Sequence, residues 1–205
     1  MSRPENALPA YNVLVVEPYT PTIGAIIHDF SLADVSNHEA RAELRNALAQ
    51  FQVIFFRNQT LTPEQQIAVA KVFGDPDKAK AFFPRHQVHD VIEVLEARKG
   101  GVAYGTDQWH ADITFVENPP TGTVLYSHII PATGGDTVWS SGTAVYDSLA
   151  VELQRYLETL EATHSFEHSG WPGYFFAKLP DGRERYLKAR AEYPPVSHPV
   201  IRTHP

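Results

Sequence analysis

His110 and Asp112, separated by one alanine, are the residues of this sequence whose types and spacing best suit metal chemistry. On a β-strand, residues i and i+2 point to the same face with their Cα atoms about 6.5 Å apart, so an imidazole nitrogen and a carboxylate oxygen can converge on one ion. Such a pair is two-thirds of the 2-His-1-carboxylate triad that holds non-haem Fe(II) and leaves coordination positions open. The same short pattern also fits a surface-strand histidine beside a solvated aspartate.

The surroundings of this pair resemble a known protein family. The segment Trp109 to Phe115 is followed by Pro119-Pro120 and then by a Thr-Gly-Gly-Asp-Thr run that ends at Thr137. In this combination the residues resemble the TauD/TfdA family of Fe(II)- and 2-oxoglutarate-dependent oxygenases. The resemblance covers nearly the whole chain from about residue 12 and includes Ile23-Gly24-Ala25, Gln52-Val53-Ile54-Phe55-Phe56-Arg57, Phe73-Gly74 and His198-Pro199-Val200-Ile201-Arg202-Thr203-His204-Pro205.

The resemblance implies a set of site residues and a reaction. His110 and Asp112 match two ligands of Fe(II), and Thr137 matches the hydroxyl that hydrogen-bonds a carboxylate of 2-oxoglutarate. 2-Oxoglutarate and O2 are then co-substrates, a small anionic organic substrate is hydroxylated, and succinate and CO2 are released. From the residues alone, Thr137 also fits an ordinary β-branched strand residue, whereas Gly134-Gly135 before it predicts a turn with positive φ.

The third iron ligand is not identified by the sequence. In the family, the distal histidine and the arginine that pairs with 2-oxoglutarate lie far downstream of the His-x-Asp pair. Because the sequence ends at Pro205, we expect it to be a fragment of a longer protein or the product of a truncated gene. His198 and His204 are candidate replacements, but they match a His-Pro…His-Pro segment that the family carries in addition to the distal ligand.

The residues expected to contact the substrate differ from those of taurine-using members. Those members carry a histidine followed three residues later by a tyrosine, and an asparagine four residues before the metal histidine. Aligned on Pro84, the first two positions are Lys80 and Phe83 here, and Thr106 lies four residues before His110. These differences predict a substrate other than taurine, such as another sulfonate, a sulfate ester or a carboxylate. The nearby segment His86 to Asp90 fits a second metal motif or, as we favour, a polar turn.

Two other classes of protein fit the same residues. His110, Asp112 and another histidine could hold zinc in a hydrolase, with a metal-bound water as the nucleophile. A jelly roll that binds a ligand without turnover also fits, because the third ligand is not identified. Succinate formation separates the oxygenase from both alternatives, and ester hydrolysis without iron would indicate the zinc enzyme.

Helices and short strands must position these residues, and their order predicts an α+β fold. The resemblance implies a double-stranded β-helix, or jelly-roll, core with flanking helices, whose C-terminal strands would be missing from this chain. We expect residues 1–10 to be an N-terminal tail and residues 11–205 to form a single oxygenase domain, incomplete at its C-terminus.

Capping residues and periodicity place the individual elements. Helices are expected near residues 36–51, which a capping box at Ser36 opens, near 62–74, which Thr62 caps, and near 143–160. Residues 75–90 read as a functional loop and residues 167–195 as a long surface excursion. Strands are expected at residues 11–17, 52–57, 91–95, 109–115, 123–130, 137–139 and 161–166.

The composition excludes several classes of function. Without cysteine, the chain cannot form disulfides, iron–sulfur clusters or a thiol nucleophile. The 24 acidic and 17 basic residues give a formal charge of -7, which argues against general nucleic-acid binding. The apolar runs are too short to span a bilayer. We therefore expect a cytoplasmic protein whose partner is a small-molecule substrate, without nucleic acid or membrane, and homo-oligomer formation stays open.

Overall fold

The computed structural model describes residues 11–80, 84–96, 108–168 and 170–204, and these ranges contain five short strands and six helices. The chain divides into two compact units, one from the described parts of Met1–Pro76 and Thr123–Gln154 and the other from those of Asp77–Gly122 and Arg155–Pro205. The mixture of helices and strands confirms the α+β prediction. The organisation of residues 11–205 as one domain stays a prediction.

A three-stranded sheet is the centre of the first unit. Strand β1 (Val15–Pro18) runs antiparallel to β2 (Ala25–His28), the middle strand. Gly24 precedes β2 with a φ of 89°. A Cβ at this position would lie 3.4 Å from the Phe55 ring and 3.5 Å from Tyr19 Cβ. These are ordinary van der Waals distances, so the turn into β2 needs glycine for its backbone angle.

Helix α1 (His38–Phe51) connects β2 to β3 (Ile54–Phe56), which pairs in parallel with β2. A parallel pair requires such a crossover connection. The helix begins after Asn37, whose side-chain oxygen accepts a hydrogen bond from the Ala40 N–H at 3.1 Å, so it starts one residue later than a cap at Ser36 predicts. Apolar side chains of α1 fill a buried core that consists of Leu14, Ala25, Ile27, Leu32, Val35, Leu44, Ala47, Phe51, Leu61, Val69 and Val72.

The carboxylate of Glu43 on α1, a residue only 7% exposed, holds the segment that precedes β1. Its two oxygens accept hydrogen bonds from the backbone N–H groups of Asn12, Val13 and Leu14 at donor–acceptor distances between 2.6 and 3.3 Å. Hydrogen bonds to an ionised acceptor are roughly twice as strong as neutral ones. One side chain thus satisfies three consecutive backbone donors.

Three further helices follow in the first unit or at its boundary. Helix α2 (Pro63–Phe73) is capped by Thr62, as the sequence predicts, and Gln65 completes a capping box. The expected helical region at residues 143–160 is confirmed as two short helices, α3 (Gly142–Asp147) and α4 (Val151–Leu157).

The strands predicted at residues 123–130 and 137–139 are wrong, because both segments have irregular backbone. A strand needs a neighbour that pairs with its backbone donors and acceptors, and the described part of the chain contains no such neighbour for either segment. Side chains anchor the first segment instead. The hydroxyl of Tyr126 accepts from the Leu61 N–H at 3.2 Å, and the Gln66 amide donates to the Val124 carbonyl at 3.4 Å.

The second unit contains the antiparallel pair of β4 (Glu161–His164) and β5 (Val196–Pro199). Between these strands the chain forms α5 (Trp171–Ala177) and α6 (Gly182–Glu192). The predicted surface excursion at residues 167–195 is therefore wrong. Its aromatic residues build a second core instead, which consists of Phe166, Phe175, Phe176 and Ala189 with Phe115, Leu179, Tyr186 and Tyr193 packed against it.

Gly182 allows α6 to begin directly against α5. A Cβ at this position would lie 1.7 Å from the carbonyl oxygen of Phe176, which no rearrangement of a side chain could relieve. Elsewhere in this unit, the strand predicted at residues 91–95 is wrong, since only an isolated bridge between Arg85 and Glu93 forms. Across the described residues, none of the helices combines the length and apolar character needed to cross a bilayer.

Candidate metal centre

His110 and Asp112 do not lie on a strand, so the strand predicted at residues 109–115 is wrong. The backbone enters a turn at Asp112, and Ile113 has a left-handed φ of 54°. The two side chains nevertheless face each other, with His110 Nε2 3.2 Å from Asp112 Oδ1. Their side chains are 51% and 58% exposed, so solvent and an ion can reach this pair of side chains.

A hydrogen bond fixes which nitrogen of His110 carries the proton. Its Nδ1 lies 2.7 Å from the carbonyl oxygen of Gln108. Because a carbonyl oxygen can only accept, Nδ1 must donate, and in the neutral ring Nε2 then keeps its lone pair. Such a partner on the other ring nitrogen is a regular feature of metal-binding histidines.

The spacing of Nε2 and Oδ1 fits a shared divalent metal ion. In the neutral tautomer both atoms are acceptors, so a second ring proton or a cation must lie between them to make their 3.2 Å approach favourable. Two ligands at right angles, each about 2.1 Å from one ion, are about 3 Å apart. An imidazole nitrogen with a carboxylate oxygen is also a donor set that suits Fe(II).

The described residues provide two ligands but not three. No group of three or more histidine, aspartate or glutamate side chains that could hold an ion occurs within residues 11–80, 84–96, 108–168 and 170–204. The roles of His110 and Asp112 as metal ligands therefore stay predictions, supported by their convergence.

Lys80 and Glu93 belong to the same unit as this pair, and Glu93 is near enough to Asp112 to feel its charge. The Glu93 carboxylate accepts a hydrogen bond from the backbone N–H of Lys80 at 3.2 Å. Desolvation raises the pKa of Glu93, the hydrogen bond from Lys80 offsets part of this rise, and the negative charge of Asp112 adds to it. The ammonium of Lys80 lies 5.7 Å from the centre of the Tyr193 ring, a cation–π distance. The predicted substrate residues Phe83 and Thr106 lie outside the described residues.

Thr137 belongs to the first unit and is exposed. The preceding glycines Gly134 and Gly135 have φ values of 79° and 75°, which confirms the turn predicted from them. Just beyond Thr137, the Trp139 ring packs edge-on against Phe55 at 5.3 Å between ring centres. The segment is thus anchored while the threonine hydroxyl stays accessible, and its contact with 2-oxoglutarate stays a prediction.

His198 and His204 have a role that the sequence did not reveal. Nε2 of His198 lies 3.0 Å from the carbonyl oxygens of both Thr114 and Val116, and Nε2 of His204 lies 2.7 Å from the carbonyl oxygen of Thr121. Each Nε2 must therefore carry a hydrogen, which leaves it without a lone pair for a metal. The sequence shows their His-Pro…His-Pro pattern but not the partners of the two histidines, which lie more than eighty residues away.

The segment His86 to Asp90 forms a bend, in agreement with the polar-turn interpretation. Nδ1 of His86 accepts from the backbone N–H groups of Val88 and His89 at 3.2 and 3.3 Å. The Asp90 carboxylate pairs with the Lys78 ammonium at 3.1 Å. These groups stabilise the turn itself.

Comparison with known proteins places these residues in a family context. Residues 16–205 match the family described as taurine catabolism dioxygenase TauD, TfdA family. The chain is 35% identical over 196 residues to the alpha-ketoglutarate-dependent sulfate ester dioxygenase of Pseudomonas putida, covering 94% of this chain and 63% of that protein. It is 34% identical over 195 residues to the alkylsulfatase of Acinetobacter baylyi, covering 94% and 60%.

A solved taurine dioxygenase from Burkholderia xenovorans has a similar fold, with a TM-score of 0.69 and 27% identity over 94% of this chain and 59% of that chain. This similarity confirms the predicted fold class. The chain spans about 60% of the length of the curated relatives that it matches. Since the family match extends over residues 16–205, the chain belongs to the TauD/TfdA family of dioxygenases.

Proposed function

We propose that the protein is an Fe(II)- and 2-oxoglutarate-dependent dioxygenase that hydroxylates a small anionic substrate, with a sulfate ester as the first candidate and sulfonates or carboxylates as the others. The observation that carries the proposal is the 3.2 Å approach of His110 Nε2 and Asp112 Oδ1, with the Nδ1 proton of His110 held by a carbonyl. Two relatives with 34–35% identity, named for sulfate ester dioxygenation and as an alkylsulfatase, support the choice of substrate class.

Each residue has a defined part in this proposal. His110 and Asp112 would hold Fe(II), and the Gln108 carbonyl orients the imidazole through Nδ1. Bound with 2-oxoglutarate and O2, the iron would supply hydroxylation of a substrate C–H bond, with release of succinate and CO2. The exposed hydroxyl of Thr137 would donate to a carboxylate of 2-oxoglutarate. A third protein ligand is also required, which the described residues do not provide.

Lys80 is our candidate for the cation that meets the anionic substrate. Its backbone N–H donates to the carboxylate of Glu93, which feels the charge of Asp112, and this connection to the candidate metal site supports the choice. Its ammonium lies over the Tyr193 ring, and this contact restricts the Lys80 side chain before the substrate binds. Less conformational entropy is then lost when the substrate is bound. Lysine replaces the histidine of taurine-using members, and we therefore expect taurine not to be the preferred substrate.

Metal and co-substrate binding test the proposal directly. Mn(II) can replace Fe(II) without oxidation, and its binding to residues 1–205 should be measured by electron paramagnetic resonance with and without 2-oxoglutarate. We expect binding to weaken at least about tenfold in His110→Ala and Asp112→Ala, because each removes a ligand. Addition of 2-oxoglutarate should tighten it. His86→Ala is the matched control, since this histidine only stabilises a turn.

The outcomes distinguish the three classes of function. Metal-dependent hydrolysis of an ester without 2-oxoglutarate would indicate the zinc hydrolase, and failure to bind any metal would indicate a non-catalytic binding protein. Succinate release would require the third ligand, so the 205-residue chain alone, with Fe(II), 2-oxoglutarate and a substrate panel, should release no more succinate than its His110→Ala variant. Release that depends on His198 or His204 would instead reveal a rearranged ligand set.

A further inference from the structure

The loop that follows Asp112 is held by a histidine from the other end of the chain. His198 lies on β5, is 9% exposed, and directs Nε2 at the carbonyl oxygens of Thr114 and Val116, each 3.0 Å away. One N–H is thus shared by two acceptors that flank Phe115. The ring is supported from β4, where the His164 imidazole packs edge-on against it at 5.1 Å between ring centres.

The backbone held in this way has an uncommon conformation. Ile113, between Asp112 and Thr114, has a φ of 54°. A β-branched residue is rarely found in the left-handed region, and such conformations persist only where surrounding contacts enforce them. The His198 hydrogen bonds begin at the next residue. Phe115 adds a second restraint through its contacts with the rings of Phe166 and Tyr193, at 5.8 and 5.5 Å between ring centres.

We propose that His198 is a positioning residue for the metal site, which keeps the loop after Asp112 in the conformation that turns this carboxylate toward His110. The inference rests on the proposed function as far as the metal is concerned. The Nε2–H that holds the loop leaves this nitrogen without a lone pair, so Nε2 of His198 would position the loop and not bind the ion.

A measurement on the unaltered chain tests the hydrogen bond first. Long-range nitrogen–proton NMR correlation should show the His198 ring with a proton on Nε2 at neutral pH. A ring that carries its only proton on Nδ1 would overturn the proposal without any variant, because that tautomer cannot donate to either carbonyl.

Two variants of the same residue then separate donation from ring packing. His198→Phe keeps an aromatic ring but removes the donor, whereas His198→Gln supplies an amide N–H2 with two donors at a similar reach. Amide hydrogen exchange at residues 113–117 should rise about tenfold or more in His198→Phe and be largely rescued in His198→Gln. Mn(II) binding should follow the same order, with a loss of about tenfold in His198→Phe.

His164→Phe is the matched control, because it makes the same change in the ring that packs on His198. Exchange at residues 113–117 should stay close to that of the unaltered chain, and exchange in α1 should stay unchanged in all three variants. Equal exchange in His198→Phe and the unaltered chain would overturn the proposal. If exchange responds as expected but the unaltered chain binds no Mn(II), the positioning role stands and the proposed metal function fails.

Discussion

Two regions of the molecule are each stabilised by a different kind of contact. Residues 11–76 are fixed by a paired sheet, capped helices and apolar side chains without solvent exposure, such as Leu44 and Phe51. The segment of residues 108–122, which carries the candidate metal ligands, has no regular structure. Its carbonyl groups accept from His198 and His204, and Phe115 packs into the aromatic core. Regular secondary structure thus stabilises the first region, whereas a few side chains that are distant in sequence hold the segment with the candidate metal ligands.

The largest effect should come from the apolar core of the first region. Phe51→Ala removes a ring that is fully buried on α1. We expect a loss of about 3–5 kcal/mol in the free energy of unfolding, from lost burial and the cavity left behind. Chemical denaturation of the chain measures it. Asn46→Ala on the exposed face of the same helix should change stability little, and equal losses in the two variants would contradict this account of the core.

The next effect tests whether long-range side-chain contacts matter in the first region too. Glu43→Gln keeps the shape but replaces one accepting oxygen with an N–H2 group that faces the backbone donors of Asn12 to Leu14. A loss of about 1–3 kcal/mol is expected, the cost of leaving a buried donor without its acceptor. The denaturation midpoint should fall accordingly. Glu39→Gln, which replaces a carboxylate that accepts only from the Asn12 side chain, is the control.

Thr137, the residue proposed to contact 2-oxoglutarate, should behave in the opposite way. Thr137→Val removes a hydroxyl on an exposed side chain, so stability should not change. The apparent affinity for 2-oxoglutarate should fall by about 1 kcal/mol, or a few-fold, for one neutral hydrogen bond. Titration of 2-oxoglutarate into the Mn(II)-loaded protein measures it. An unchanged affinity would show that Thr137 does not contact 2-oxoglutarate.

The smallest effect concerns pH in the second region. Desolvation lowers the pKa of His164 below its usual 6.5, and the neighbouring His198 and His168 lower it further. The His164 ring therefore binds a proton more readily in the unfolded chain than in the folded one. Its contribution to stability is fully present above about pH 6.5 and is lost as the pH falls toward the lowered pKa of the folded state. His164→Gln should reduce this decline in denaturation series between pH 7 and pH 5. An identical pH dependence would show that His164 does not contribute.

The same contrast explains what the sequence could predict. Thr62 and the Gly134-Gly135 turn act through neighbours a few residues away, so their structural effects follow from local chemistry, and both are confirmed. The strands expected at residues 109–115 and 123–130 depend on partners that alternation of residue types cannot identify. The helices α5 and α6 were missed because Gly, Pro and charged residues obscured the aromatic side chains that bury them.

The candidate site was predicted by residue type rather than by geometry. The convergence of His110 and Asp112 was expected from a strand, yet the structure achieves it through a turn and a left-handed Ile113. His198 contacts carbonyl groups that lie 82 and 84 residues earlier in the sequence, and no local sequence pattern predicts such a pairing.

The hydrogen bonds of the Glu43 carboxylate to the segment before β1 have a consequence for association between molecules of this protein. β1 is an edge strand, and an unpaired edge can recruit a strand from another chain. The three N–H groups just before it are already bound by the carboxylate, so they cannot prolong an intermolecular ladder. On this edge of the described sheet, the four residues of β1 remain as the template, which is a short segment for pairing with another chain.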